Sequence, residues 1–213
     1  LIMAPLNGVE AEDMVASVYG WDNLLYSLTK VSVVMKDGQA SFKPDAARIE
    51  FGEKRNRIIT PRVRVLKELF ESAGIRCVVP EDMERAIWFK YMCNVSENQS
   101  AAVLGISYGA WRVSGDANFI REALMREVNA VARKKGISLT EEDMEKQVRV
   151  LGAVPPGNKP STLQDIEAGR RTEVEMFGGT MIRMGRELGV PTPYNEMFYH
   201  AIKVLEQKNE GLF

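Results

Sequence analysis

The stretch Ile75-Arg76-Cys77-Val78-Val79-Pro80-Glu81-Asp82 divides the chain into two kinds of sequence. Ile75–Val79 is a short β-prone run that stops at Pro80, which has no N–H to continue a ladder. Asp82 then stands where a helix N-cap belongs, ahead of Ile87, Trp88, Tyr91, Met92 and Val95 at helical spacing. That pattern runs to about Leu104 and closes at Gly105. Upstream, strand and helix signals alternate; downstream, no strand signal survives. The spacing predicts a mixed α/β segment over 1–81 and an all-helical segment over 82–213.

In the first segment, Leu1–Pro5 reads as a short buried strand ended by the Asn7-Gly8 turn, with a helix around Ala11–Tyr19. Val31-Ser32-Val33-Val34-Met35 is β-prone and ends at Asp37-Gly38. Ala47–Phe51 is a further strand bounded by Gly52. Thr60-Pro61 reads as an N-cap with proline at the first helical position. Val65, Leu66, Leu69 and Phe70 mark that helix's apolar face, and Gly74 closes it.

In the second segment, Asp116 starts a helix with Ile120, Leu124, Val128 and Val131 on one face. Thr140 and Asp143 loosely resemble a capping box, and Ser161 with Gln164 makes a better one. The Pro- and Gly-rich stretch Val154–Lys159 reads as a loop. From Ser161 one long helix is predicted to reach Leu188, stopped by Gly189, Pro191 and Pro193, with a last helix over roughly Asn195–Gln207.

Bulk properties remove several function classes. With 28 basic and 29 acidic residues the formal charge is −1, so no nucleic-acid partner is indicated. Cys77 and Cys93 form neither a CxxC nor a zinc spacing and read as buried thiols, compatible with a cytoplasmic protein. One histidine, His200, excludes a multi-histidine metal site, and no metal is expected. No apolar run approaches the roughly 20 residues a membrane helix needs, and no signal peptide is visible.

Three constellations could carry chemistry. Lys90, Asn94 and Asn98 are four apart and share one helix face. A lysine supplies a point charge and a transferable proton, and the amides donate or accept without charge, which suits an anionic or carbonyl-bearing ligand. The plain structural reading is a solvated helix face. Ser161 sits at a helix start, where N–H groups and the helix dipole favour a carboxylate, and Glu173 lies about three turns on along the predicted helix. The plain reading is a capping serine and a glutamate paired with a neighbouring arginine. Asn7-Gly8 ends a strand at the sheet edge where α/β proteins bind ligands, and is also an ordinary turn. Arg170 and Arg171 could hold an anion, but read better as solvated charges.

Together these features resemble ketopantoate reductase in order and approximate spacing. The resemblance rests on the strand-end Asn-Gly, Trp88-x-Lys90-x-x-x-Asn94-x-x-x-Asn98, and Ser161-x-Leu163-Gln164-Asp165-Ile166 with Arg171-Thr172-Glu173. Gly189-Val190-Pro191-Thr192-Pro193-x-Asn195 extends it over essentially the whole chain. It implies an α/β remnant of a Rossmann domain followed by an all-α C-terminal domain of the 6-phosphogluconate dehydrogenase C-terminal type, with the active site in the cleft between. It also implies NADPH-dependent reduction of 2-dehydropantoate, a small 2-oxo acid, to pantoate in pantothenate and coenzyme A synthesis. Lys90 matches the general acid; Asn94, Asn98 and Ser161 match substrate-binding residues. Asn7 matches the asparagine between substrate and nicotinamide, and Glu173 an acidic residue at the cofactor–substrate junction. Leu6 departs from the family's frequent glutamine, and Tyr108 stands where some members carry a further substrate-binding asparagine.

No GxGxxG occurs in the 213 residues. Together with an apolar start at Leu1, that implies a chain lacking the N-terminal part of its Rossmann domain, inactive alone. Two alternatives stay open: a reductase of another branched 2-oxo acid, motivated by Leu6 and Tyr108, or a piece that serves only as a folding or dimerising module. Pairing with a second copy is compatible with the helical segment.

Overall fold

The computed structural model describes residues 1–31, 33–36, 39–42, 47–152 and 154–213. β1 (Ile2–Met3) leads into α1 (Ala11–Tyr19), placed as predicted. β2 (Leu24–Lys30) pairs in parallel with β1, Ile2 opposite Leu24 and Met3 opposite Leu25. β3 (Val33–Lys36) and β4 (Gln39–Phe42) form a separate antiparallel pair. The turn expected at Asp37-Gly38 lies outside the described residues, as does Ser32. β5 (Arg48–Gly52) runs antiparallel to β2. α2 (Pro61–Ser72) then leads to β6 (Cys77–Val78), which joins β5 in parallel. The sheet order is β1-β2-β5-β6.

The inner strand β2 was not predicted. Leu24, Leu25, Ser27 and Leu28 are all buried along it. An apolar run that short fits a strand or a buried helix equally, so periodicity alone does not place it. Leu25 and Phe51 form the sheet's contribution to a core completed by Val63 of α2. There the predicted face is corrected. Val63, Leu66 and Phe70 pack inward, while Val65 and Leu69 are 66% and 59% exposed. The inward stripe follows i, i+3, i+7 from Val63, so Leu66 and Phe70 lie on it as predicted and Val65 and Leu69 do not. Thr60 precedes α2 but its side chain accepts no capping hydrogen bond; its Oγ1 donates to Glu53 Oε1 at 2.8 Å.

The chain after α2 is helical. α3 (Met83–Leu104) is capped by Asp82, whose Oδ1 accepts from Arg85 N at 2.8 Å, and closes at Gly105 with φ +65°. The chain forms two compact units, Leu1–Ile87 and Trp88–Phe213, so α3 begins in one and continues in the other. A short α4 (Ala110–Val113) precedes α5 (Gly115–Lys134). The cap of α5 is Ser114 rather than Asp116, its Oγ accepting from Ala117 N at 3.1 Å. α6 (Glu141–Leu151) carries a complete Thr140/Asp143 capping box.

The predicted long helix is divided. α7 (Ser161–Glu167) stops at Gly169, which takes φ +66° while Arg170 N bonds Asp165 O at 2.8 Å. This is the glycine-closed helix end, and it interrupts a pattern that looks helical on both sides. A π-helical segment, Glu175–Gly179, then runs into α8 (Thr180–Leu188), and α9 (Pro193–Asn209) follows. Tyr91, Met92 and Val95 of α3, Leu124 and Val128 of α5, Phe177, Met181 and Ile202 are all fully buried in this unit.

Glu127 of α5 fixes the start of α9. Its carboxylate accepts from Tyr194 N and Asn195 N, each at 2.9 Å, and from Asn195 Nδ2 at 2.7 Å. Gln99 Nε2 of α3 donates to Asn195 Oδ1 at 2.9 Å, so one buried network ties α3, α5 and α9 together.

Candidate active site

Lys90, Asn94 and Asn98 recur every four residues along α3, which puts three polar side chains on one stripe. Trp88, Tyr91, Met92 and Val95 are buried and hold the helix in the core. Lys90 and Asn94 are half-buried, and Asn98 is 5% exposed. Asn98 is anchored at its oxygen. Oδ1 accepts from Ser161 Oγ and from the Thr162 backbone N, both at 3.0 Å. A backbone N–H can only donate, so this contact settles which end of the amide is oxygen. The Asn98 Nδ2 donors have no partner among the described residues.

Ser161 does not cap a long helix. It is the first residue of α7, exposed, behind Pro160. Its hydroxyl donates to Asn98, and Gln164 Nε2 bonds Lys159 O at 2.8 Å instead of completing a capping box. With proline in the cap position, Asn98 Oδ1 does what a cap side chain would do, satisfying the Thr162 N–H.

Glu173 is half-buried and lies beyond the Gly169 break, not on the Ser161 helix. It lies two residues before the π-helical segment, its carbonyl accepting from Met176 N at 3.0 Å and Phe177 N at 3.1 Å. Thr172, just before it, is held by Glu206 of α9, whose Oε1 accepts from both Thr172 N and Thr172 Oγ1 at 2.7 Å. Burial opposes ionisation of Glu206, but the Thr172 and Lys203 hydrogen bonds hold its carboxyl below the ordinary value. Asn7 belongs to the other unit. It is half-buried and follows β1 through a tight turn in which Leu6 N bonds Ala4 O, with Gly8 at φ +88°. A side chain at Gly8 would strain that turn.

The other candidates resolve locally. Arg170 pairs with Asp165 at 2.7 Å and Arg171 with Glu210 at 3.1 Å, both as exposed pairs. Cys93 is buried, whereas Cys77 is only half-buried. His200 is exposed and edge-on to the Tyr199 ring. Tyr108 is half-buried, edge-on to Trp111, and burial pushes its phenol up, aided by Glu97 and Cys93. Among the described residues no cluster could hold a metal ion and no helix is long and apolar enough to cross a membrane.

A second buried polar group escaped the sequence reading. Glu97 is 5% exposed and accepts from Gln147 Nε2 at 2.7 Å. Burial pushes its carboxyl up to about 7, against the pull of Gln147 and Arg121. Arg121 is fully buried, its guanidinium 5.5 Å from the Trp111 ring centroid and its Nη2 donating to Asn118 Oδ1 at 2.8 Å. Arg121 Nε and Nη1 have no hydrogen-bond partner among the described residues. In sequence, these residues look like the solvated charges found on any helix.

The profile of the family described as "Ketopantoate reductase PanE/ApbA C terminal" matches residues 82–206. The chain belongs to the ketopantoate reductase family. Among its relatives, the 2-dehydropantoate 2-reductase of Pyrobaculum aerophilum is 32% identical over 144 residues, which is 68% of this chain. The chain spans about half that relative's length, the match covering 51% of it. Among solved structures, 2-dehydropantoate 2-reductase from Methylococcus capsulatus is 28% identical with a TM-score of 0.81, over 95% of this chain and 64% of that one. A D-mandelate dehydrogenase solved with NADH and anilino(oxo)acetate has a TM-score of 0.86 at 20% identity, over 98% of this chain and 67% of that one, a likeness of fold. Ketopantoate reductase folds thus match the α/β unit and the helical unit of this chain.

Proposed function

We propose that this chain carries the substrate-binding part of an NADPH-dependent 2-oxo acid reductase that converts 2-dehydropantoate to pantoate. In this reading residues 1–81 belong to the dinucleotide-binding part and 82–213 bind the oxo acid. The observation that carries it is Asn98: its oxygen is held by Ser161 and Thr162, leaving its N–H groups as donors on the stripe of Lys90 and Asn94.

Taken unit by unit, one residue in each has chemistry that suits the cofactor. Asn7 offers a neutral amide in a turn that requires Gly8, and Glu173 offers a carboxylate. An amide can pair with a carboxamide, and a carboxylate can accept from a ribose or carboxamide donor. The glycine-rich pyrophosphate cradle has no counterpart in these 213 residues. When bound, NADPH supplies the hydride that adds to C2 of the oxo acid.

This chain's side chains do the rest. The Lys90 ammonium donates to the C2 carbonyl oxygen, stabilises the negative charge that develops there, and transfers a proton to it, completing the hydroxyl. The amine left behind is reprotonated from water. Asn94 and the Asn98 Nδ2 donors hold the substrate carboxylate and hydroxyl, with Ser161 beside them. Neutral donors bind a carboxylate without neutralising Lys90, so the ammonium keeps its charge for the carbonyl.

The test is NADPH oxidation by the full-length protein, followed at the nicotinamide absorbance, with 2-dehydropantoate and a panel of branched 2-oxo acids. Turnover with 2-dehydropantoate above the rest is expected. A preference for another 2-oxo acid moves the substrate assignment to Tyr108, and no turnover with any of them rejects the reading.

A further inference from the structure

We propose that Tyr91 is a positioning residue: its hydroxyl holds the π-helical turn that follows Glu173 and so sets Glu173 relative to the helix that carries Lys90. This rests on the reductase reading above. Tyr91 is the residue after Lys90 on α3 and is 1% exposed. Its Oη donates to the Phe177 carbonyl at 2.8 Å, with the Met176 carbonyl at 3.3 Å. A buried phenol is costly unless its hydroxyl finds an acceptor, and this one finds it in the backbone of the Glu175–Gly179 turn.

That turn is an unusual piece of backbone. π-helical turns are rare and persist where neighbours impose them. Here the neighbours are named. Phe177 is fully buried beside the Tyr91 ring, with centroids 6.5 Å apart. Gly178 presses against α3 and α9 so closely that a Cβ would fall 2.5 Å from Gln99 Oε1 and 2.8 Å from Tyr199 Cβ. The hydrogen bonds from Met176 N and Phe177 N to Glu173 O make Glu173 the first residue of this clamped body. On the other side, Thr172 is fixed by Glu206. The Glu173 backbone is thus set from both directions, and the side-chain hydrogen bond that the Lys90 helix gives to the turn's backbone comes from the Tyr91 hydroxyl.

A phenylalanine would fill the same space without that bond. The experiment is a cycle of Tyr91→Phe and Glu173→Gln in the full-length protein with NADPH and 2-dehydropantoate. If Tyr91 acts through Glu173, Tyr91→Phe lowers kcat about tenfold, since sub-ångström misplacement carries losses of that order. KM for the oxo acid stays within about twofold, and the loss shrinks or vanishes in the Glu173→Gln background. Independent, multiplying losses overturn the proposal, as does an unchanged kcat or a loss confined to thermal stability. Carbon-detected NMR of the Glu173 carboxyl needs no turnover. Its resonance moves in Tyr91→Phe if the inference is right and stays in place if it is wrong. Should the wild-type protein reduce no 2-oxo acid, the reductase reading fails by itself and the NMR comparison decides the positioning role alone.

Discussion

Asn98 Oδ1 and Ser161 Oγ lie 3.0 Å apart, joining the middle of α3 to the first residue of α7 across 63 positions of sequence. With the Thr162 N–H on the same oxygen, the contact makes Asn98 both a structural cap and a presenter of two N–H donors. Two substitutions separate those roles. Asn98→Ala leaves a buried N–H unsatisfied, and unfolding free energy should fall by about 1–3 kcal/mol in a denaturant titration. Asn98→Asp keeps an oxygen to accept both hydrogen bonds but replaces the donors with negative charge. Its stability should fall by less than that of Asn98→Ala, because the Ser161 and Thr162 donors offset burial of the charge, while KM for the oxo acid rises at least about tenfold. An unaltered KM in Asn98→Asp would remove Asn98 from the substrate site.

Lys90 is proposed to deliver the proton, and its replacement tests the chemistry directly. Lys90→Ala should lower kcat by about 10²–10⁴, the usual loss when a general acid is removed. The melting temperature should barely move, because Lys90 is only half-buried. Single-turnover measurements at saturating NADPH would place the loss on the chemical step. A kcat within a few-fold of wild type would assign the proton to another donor.

How much of this was legible in the sequence depends on how far apart the deciding residues lie. α3 was readable because Asp82, the apolar spacing from Ile87 to Val95, and Gly105 agree within one stretch. The Lys90, Asn94 and Asn98 stripe follows from that helix by arithmetic. Strand β2 was not readable, since Leu24-Leu25-Tyr26-Ser27-Leu28 fits two periods. Gly169 falls inside the helix predicted from Ser161 to Leu188, because nothing local says it takes φ +66°. Val65 and Leu69 looked like core and face solvent instead. The Asn98–Ser161 bond, the Tyr91–Phe177 bond and the Glu97–Gln147 pair join residues 50 or more positions apart. Only the folded packing brings such partners together.

Glu127 predicts a stability effect well away from the proposed chemistry. Its carboxylate takes three hydrogen bonds from the start of α9, two of them from backbone N–H groups that no earlier turn can satisfy. Glu127→Ala should cost about 3 kcal/mol or more by chemical denaturation, because the orphaned donors stay buried. Glu127→Gln retains one good acceptor and should lose roughly half as much. Equal losses in the two variants would mean that side-chain volume, not the hydrogen bonds, holds α9.

Glu97 makes stability depend on pH in a direction opposite to most carboxylates. Its ordinary value is 4.5, and burial raises it to about 7 in the folded chain, beside Gln147 and the buried Arg121. Below 4.5 the group is protonated in both states and contributes no pH dependence. Between 4.5 and 7 the unfolded chain releases its proton while the folded chain keeps it. The folded state then binds more protons, so its stability falls as pH rises through that window. Above 7 both forms are ionised and the penalty is constant, on the order of 3 kcal/mol at 1.36 kcal/mol for each pH unit of separation. Glu97→Gln keeps a hydrogen-bonding partner for Gln147 and carries no charge to bury. Compared with wild type, it should show a flatter stability profile between pH 4.5 and 7 and greater stability at pH 8. Chemical denaturation of both proteins at pH 5, 6, 7 and 8 measures the difference. If wild type and Glu97→Gln ran parallel across that series, Glu97 would be ionised throughout, and Arg121 would have to be its effective counter-charge despite the absence of a direct bond between them.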